Sequence, residues 1–294
     1  MKADYIEFKK QRELGDILTD TFAFLRSEFK PFFTTFFKIV GPYLLAMILA
    51  LVFYMFYAGN SFSLIFTGVG SELNNIALIF VIALVYMISI VSVYTISQST
   101  VLHYIKSYAN GKGTPDFETI KKEVYASFWS FIGLGILVGL SIFFGLMICI
   151  IPGIYLYVPL MLAFSVLVFN KMGASDAYGY SFKLVKDEWW ITFATFFVIG
   201  IIVVVASWAF SLPLAIYQWA KMGILSGEMD AESMMNIFED PIYILLNVVG
   251  TIGQFLLNLI SVIAGVFIYF NLNEKKNFTG TYERIENLGQ SRDI

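Results

Sequence analysis

The stretch that decides the fold is Cys149–Pro159, CIIPGIYLYVP. It lies inside a run of 47 residues, Val124–Asn170, that carries no charged side chain. As one helix that run would be about 70 Å long at 1.5 Å per residue. A bilayer core is about 30 Å thick, and tilt cannot absorb the difference. Two helices fit if the chain reverses at Pro152-Gly153. Pro159 lies inside the second of them, where it can kink the helix.

The rest of the chain has the same character. Of 294 residues, 58% are hydrophobic and 14% charged. Ordinary soluble domains carry about 25% charged residues, so composition places the chain in a membrane. Four further uncharged runs, Ile39–Ser71, Leu73–Ile105, Trp189–Ala220 and Pro241–Asn273, each fit one span. The expected fold is therefore all-α and polytopic. Six transmembrane helices are expected at about 39–58, 76–102, 128–150, 154–170, 190–215 and 241–270. They form one domain, 39–273, between an N-terminal segment, 1–38, and a polar tail, 274–294.

Charge supports the same count. With six spans, 18 of the 19 Lys/Arg fall on one side and only Lys221 on the other. The positive-inside rule makes the rich side cytoplasmic, with both termini there. The first 38 residues mix seven basic with six acidic side chains and show no signal-peptide h-region. The net charge of -3 excludes a global nucleic-acid footprint.

Amphipathic segments precede the odd-numbered spans. Leu14, Ile17, Leu18, Thr21, Phe22 and Leu25 recur at helical spacing before the first. Ala177, Tyr178, Ser181, Phe182 and Val185 do so before the fifth, followed by Trp189-Trp190 as interface anchors. Such helices are expected in the interface plane. Asp16–Phe37 laid over Asp176–Phe197 gives seven identities in 22 positions, among them Glu28/Glu188. Asp116–Trp129 is a fainter third copy, so the chain reads as a threefold parallel repeat of one such helix plus two spans.

Candidate chemistry is sparse. The expected span interiors contain no Asp, Glu, Lys or Arg, although intramembrane charge is the usual mark of a functional site. His103, the only histidine, reads as an interface residue. It cannot by itself make a two-histidine metal site. Cys149, the only cysteine, reads as a buried inert thiol. No cofactor or metal is expected. Two polar faces stand out: Ser92, Thr95 and Ser99 on the second span, and Asn247, Thr251, Gln254, Asn258 and Ser261 on the sixth. Each is either a helix-packing face or the wall of a polar cavity. Gly135 and Gly139 form a GxxxG-like packing pair. Glu228, Asp230, Glu232, Glu239 and Asp240 make an acidic loop, and Asp240-Pro241 reads as the start of the last span.

Pro152-Gly153-Ile154-Tyr155, then Ala177, Ser181, Lys183, Lys186 and Trp190, resemble a pattern in bacterial six-span membrane proteins. These are the membrane-domain family attached to some glycerophosphoryl diester phosphodiesterases, and the related YciC-like proteins. The opening RELGDILTDTFAFLRSEFKPFF is similar to that of Bacteroidota members. The resemblance implies six spans and supplies no catalytic residues. The phosphodiesterase chemistry of such proteins belongs to a separate soluble domain, and no such domain is found in this sequence. The expectation is a non-enzymatic membrane-organising or accessory subunit that contacts lipid, a protein partner or its own copy. The alternative is a transporter or channel for a small or lipid-like solute, lined by the two polar faces.

Overall fold

The computed structural model describes residues 5–67, 73–224 and 237–290. The fold is all-α. The helices are α1 (Leu14–Ser27), α2 (Phe29–Thr67), α3 (Leu73–Asn110), α4 (Phe117–Ile148), α5 (Ile150–Phe169), α6 (Ala174–Val185), α7 (Trp189–Lys221), α8 (Pro241–Asn277) and α9 (Thr279–Gln290). A 3-10 turn, Ile237–Glu239, precedes α8. Six of these helices, α2, α3, α4, α5, α7 and α8, are long and apolar enough to cross a membrane. The protein is a multi-pass membrane protein. Glu228, Asp230 and Glu232 of the acidic loop lie outside the described residues.

Two compact units share these helices. The first comprises the described residues within 1–39, 95–201 and 259–294, the second those within 40–94 and 202–258. In the second, Leu51, Met55, Ile237 and Tyr243 form a buried cluster. Asp240 caps α8 as its sequence suggests, accepting from the Ile242 N–H at 2.9 Å and the Tyr217 hydroxyl at 2.8 Å. Gly253 lets α8 approach α7 closely, since a Cβ there would meet the Phe210 ring at 2.2 Å.

The first unit holds most of the aromatic core. Phe8 stacks on Phe267 with centroids 4.6 Å apart. Phe24 meets Tyr108 edge-on at 5.3 Å, and Phe32 meets Tyr104 likewise at 5.1 Å. The amphipathic faces match the expected ones in part: α1 buries Ile17 and Thr21 but turns in Phe24 while Phe22 is exposed, and α6 buries Ala177, Ser181 and Val185 together with Leu184. The face of α6 is covered by α4 and α5, so this helix packs on protein rather than lying alone in the interface. The segment before the third span is not a separate helix. Residues 117–127 are the first turns of α4, started by Asp116, whose side chain accepts the Thr119 N–H at 2.9 Å.

The repeat is visible at its joints. Glu28 separates α1 from α2, and Glu188 immediately precedes α7. The Glu28 carbonyl accepts the Phe32 N–H at 2.8 Å, and the Glu188 carbonyl accepts the Thr192 N–H at 3.0 Å. Both glutamates therefore open a long apolar helix, where a negative side chain suits the helix dipole.

The chain reverses at Cys149, three residues before the expected Pro152-Gly153 turn. Cys149 is extended, with φ -169° and ψ 156°. Pro152 and Gly153 fall in the first turn of α5, where a missing N–H costs no helical bond. Glycine is required there for a different reason. A Cβ on Gly153 would meet Leu146 Cδ2 at 2.4 Å and the Leu146 backbone nitrogen at 3.0 Å. A Cβ on Gly145 would meet the Gly153 Cα at 3.1 Å. These two glycines let α4 and α5 touch backbone to backbone. Cys149 is exposed rather than buried, because it is the reversal itself.

The hairpin is also oriented differently from the sequence expectation. Tyr155, at the start of α5, stacks on Trp189, at the start of α7, with centroids 5.5 Å apart. Tyr157 meets Phe196 at 6.4 Å. From Trp189 to Phe196, α7 rises about 10 Å, while α5 advances only about 3 Å between its two contacts. The helices therefore cross steeply instead of running side by side. A hydrocarbon core of about 30 Å cannot separate touching rings. The hairpin turn and the Trp189-Trp190 anchors, expected on opposite faces, thus lie close together.

Two outcomes follow from this hairpin. Gly153→Ala should destabilise the protein by about 1–3 kcal/mol, the usual cost of overpacking, read as a lowered unfolding temperature in detergent. In proteoliposomes, an impermeant maleimide should not label Cys149 from the face opposite to the one that labels a Lys186→Cys, Cys149→Ser variant. Labelling of the two from opposite faces would refute that proximity.

Candidate functional site

A crevice of about 670 Å³ opens where the hairpin crosses α7. Its walls are Ile151, Ile154 and Tyr155 from α5, and Trp189, Trp190 and Phe193 from α7. Lys186, Asp187 and Glu188 form the charged edge. The walls follow from local sequence. Period-four spacing stacks Trp189 on Phe193 and Phe193 on Phe197, at 5.3 and 5.8 Å. Trp189 is held on its other side by Tyr155, whose carbonyl accepts its indole N–H at 3.2 Å. Trp190 meets Trp189 edge-on at 4.8 Å and is 76% exposed.

The apolar wall continues outward. Met147, Ile148, Ile150 and Ile151 around the reversal are each at least 68% exposed. Exposure of that size in contiguous apolar residues marks a surface that meets lipid or a partner. At the charged edge the Lys275 ammonium lies 3.1 Å from Glu188 Oε2. That distance makes an ion pair, while the angle does not make an aligned hydrogen bond.

The first unit also gathers the charges that the spans exclude. Arg12 is among the most deeply buried of them, with its side chain fully covered. Its Nε donates to Asp20 Oδ2 at 2.8 Å, and its Nη1 to the Phe8 carbonyl at 2.7 Å. Its Nη2 donates to the Glu7 carbonyl. The guanidinium sits 4.8 Å over the Phe267 ring, a cation–π contact. The Arg12 backbone N–H donates to Asn271 Oδ1 at 2.8 Å. One side chain thus pins the N-terminal segment to α1 and α8. Burial raises the Asp20 carboxyl, but hydrogen bonds from Arg12 and Lys10 more than offset it, leaving its pKa below the ordinary 3.8.

His103 is packed inside the protein. It is 5% exposed, and its Nδ1–H donates to the Ser99 carbonyl at 2.8 Å. Its Nε2 lies 3.7 Å from Glu123, which Lys106 also holds at 2.9 Å. Glu28 is buried and accepts the Tyr104 hydroxyl at 2.8 Å. Glu274 caps α9, accepting from the Gly280 and Thr281 N–H groups at 2.7 and 2.9 Å. Among the described residues, no three His, Cys, Asp or Glu side chains converge as a metal site.

The two polar faces fare differently. Ser99 is buried and hydrogen-bonded to Ser127 at 3.0 Å, a packing contact. Ser92 and Thr95 are half-buried. On α8, Gln254 and Asn258 are exposed, and Asn247, Thr251 and Ser261 are half-buried. None of these eight residues lines the crevice. Sequence reasoning missed the crevice because its walls are ordinary apolar residues; the sequence signal for it was the Trp189-Trp190 pair beside Pro-Gly-Ile-Tyr.

No family model, no curated protein and no solved structure matches the chain.

Asp20→Asn should cost about 1–3 kcal/mol, because it leaves the buried Arg12 without its carboxylate. The depressed Asp20 pKa adds stability that is complete above the ordinary 3.8 and is lost as pH falls through the folded value. Acid titration of unfolding in detergent should show this loss in the parent and a shallower one in the variant.

Proposed function

We propose that this is a non-enzymatic, lipid-contacting membrane protein that acts as a membrane-organising or accessory subunit of the bacterial inner membrane, with its lysine-rich side cytoplasmic. The observation that carries the proposal is the exposed apolar hairpin tip set across the start of α7, with the aromatic crevice in the angle between them. Its occupant is the acyl chain of a membrane lipid. The inner wall offers only apolar and aromatic side chains, and Lys186, Asp187 and Glu188 at the mouth give a charged edge for the headgroup of the same lipid. A hairpin crossing a spanning helix takes up lateral room in the lipid around it, which is a physical route to local membrane organisation.

We also propose kinship with the six-span membrane-domain family that the sequence resembles. Its support is that the resembling residues have matched structural work here. Gly153 permits the hairpin contact, Tyr155 stacks on Trp189, and Ser181 is buried on α6.

The test is lipid retention. The full chain, purified in mild detergent and examined by native mass spectrometry, should carry bound lipid. Trp190→Ala and Ile151→Ser should each reduce the retained fraction by about fivefold, equivalent to about 1 kcal/mol of lost contact. A parent protein that retains no lipid, or variants that retain as much as the parent, would count against the crevice as a lipid site.

A further inference from the structure

A second cavity, of about 570 Å³, lies in the same unit and shares no lining residue with the aromatic crevice. Its chemistry is the opposite. Three lysines reach it, Lys9, Lys106 and Lys171, from the N-terminal segment, the end of α3 and the turn after α5. Four asparagines join them, Asn110, Asn170, Asn273 and Asn277. No Asp or Glu is in the lining. One side of the wall is aromatic, with Phe169 stacked on Tyr269 at 5.2 Å.

The donors are not all spoken for. Lys9 pairs with Glu283 at 2.6 Å and Lys106 with Glu123 at 2.9 Å, both carboxylates standing outside the lining. Those pairs hold two ammoniums in place and reduce their net charge. Among the described residues, Lys171 has no ion-pair partner. Asn170 accepts the Tyr269 hydroxyl through Oδ1, which leaves its amide N–H₂ as a donor beside Lys171. Asn277 and Asn273 are already oriented, with Asn277 Nδ2 donating to Asn273 Oδ1 at 2.7 Å.

Left-handed backbone occurs at the same place. Lys112, Lys171 and Phe278 are the three non-glycine residues with positive φ among the described residues, at 47°, 53° and 51°. Lys171 lines the cavity, Phe278 lies between the lining residues Asn277 and Thr279, and Lys112 is two residues from Asn110. Left-handed backbone costs an ordinary residue about 1–2 kcal/mol. All three follow helix C-termini, those of α3, α5 and α8, where a left-handed residue ends the helix and turns the chain into the cavity wall.

We propose that this cavity binds a phosphate group, carried by an anionic lipid headgroup or by a soluble phosphorylated compound, with Lys171 and the Asn170 amide as its principal donors. A lining of ammonium and amide donors without a carboxylate selects a multi-oxygen anion. The volume exceeds what a bare phosphate needs, so the aromatic wall receives the rest of the molecule.

The experiment uses the full chain in phosphate-free detergent. Inorganic phosphate and glycerol 3-phosphate form the soluble arm, read by calorimetry and unfolding temperature against sodium chloride at matched ionic strength. Phosphatidylglycerol against phosphatidylcholine forms the lipid arm, read by native mass spectrometry. The charge test is Lys171→Asn, since asparagine tolerates left-handed backbone and spares the fold. Lys171→Gly is the control for backbone release. Binding in either arm that both variants weaken by about tenfold is the expected result, and the arm identifies the source of the phosphate. The proposal is overturned if neither arm binds, or if the variants bind as tightly as the parent. Because the crevice is tested by Trp190→Ala and this cavity by Lys171→Asn, either reading can fail without the other.

Discussion

Charge is expensive to bury, and that one constraint orders this protein. The apolar runs shed every Asp, Glu, Lys and Arg, and the excluded groups collect at the ends, where they satisfy one another. Arg12 shows the consequence most clearly. It is fully covered, yet each of its three side-chain nitrogens has an acceptor, and its cation rests on the Phe267 face. Breaking one partner of such a set costs far more than the set contributes, because an uncompensated charge is left behind. The same logic covers Glu28 with Tyr104, and Glu274 at the start of α9.

Backbone polar groups face the same problem in lipid, and helices solve it internally. The α4–α5 reversal is the exception that needs special residues. A single extended residue, Cys149, turns the chain, and Gly145 and Gly153 allow the two backbones to meet. The reversal is therefore short enough to leave little unsatisfied backbone, and its surface is apolar side chain. Setting that hairpin across α7 creates an angle that side-by-side packing would have closed, and the aromatic crevice fills it.

The internal repeat has a physical basis as well. In both clear copies an amphipathic helix ends, a glutamate carbonyl takes up the first turn, and a long apolar helix begins. The glutamate side chains then diverge: Glu28 is buried on Tyr104, and Glu188 faces Lys275 at the crevice edge. The two joints share backbone geometry while their surroundings are a core in one place and a rim in the other.

The sequence by itself determined the class, the apolar helices and part of the amphipathic faces of α1 and α6, because hydrophobic length and period are local properties of the chain. It located the reversal within three residues and flagged the tryptophan pair. Only tertiary structure decided what those elements do together. It set α5 across α7, buried His103 and Glu28, exposed Gln254 and Asn258, and assembled two cavities of opposite chemistry. The reason is separation along the chain. Tyr155 and Trp189 are 34 residues apart, and Arg12 and Asn271 are 259 apart. No periodicity spans such distances, so which polar groups pair and which rings stack is settled only when the helices pack.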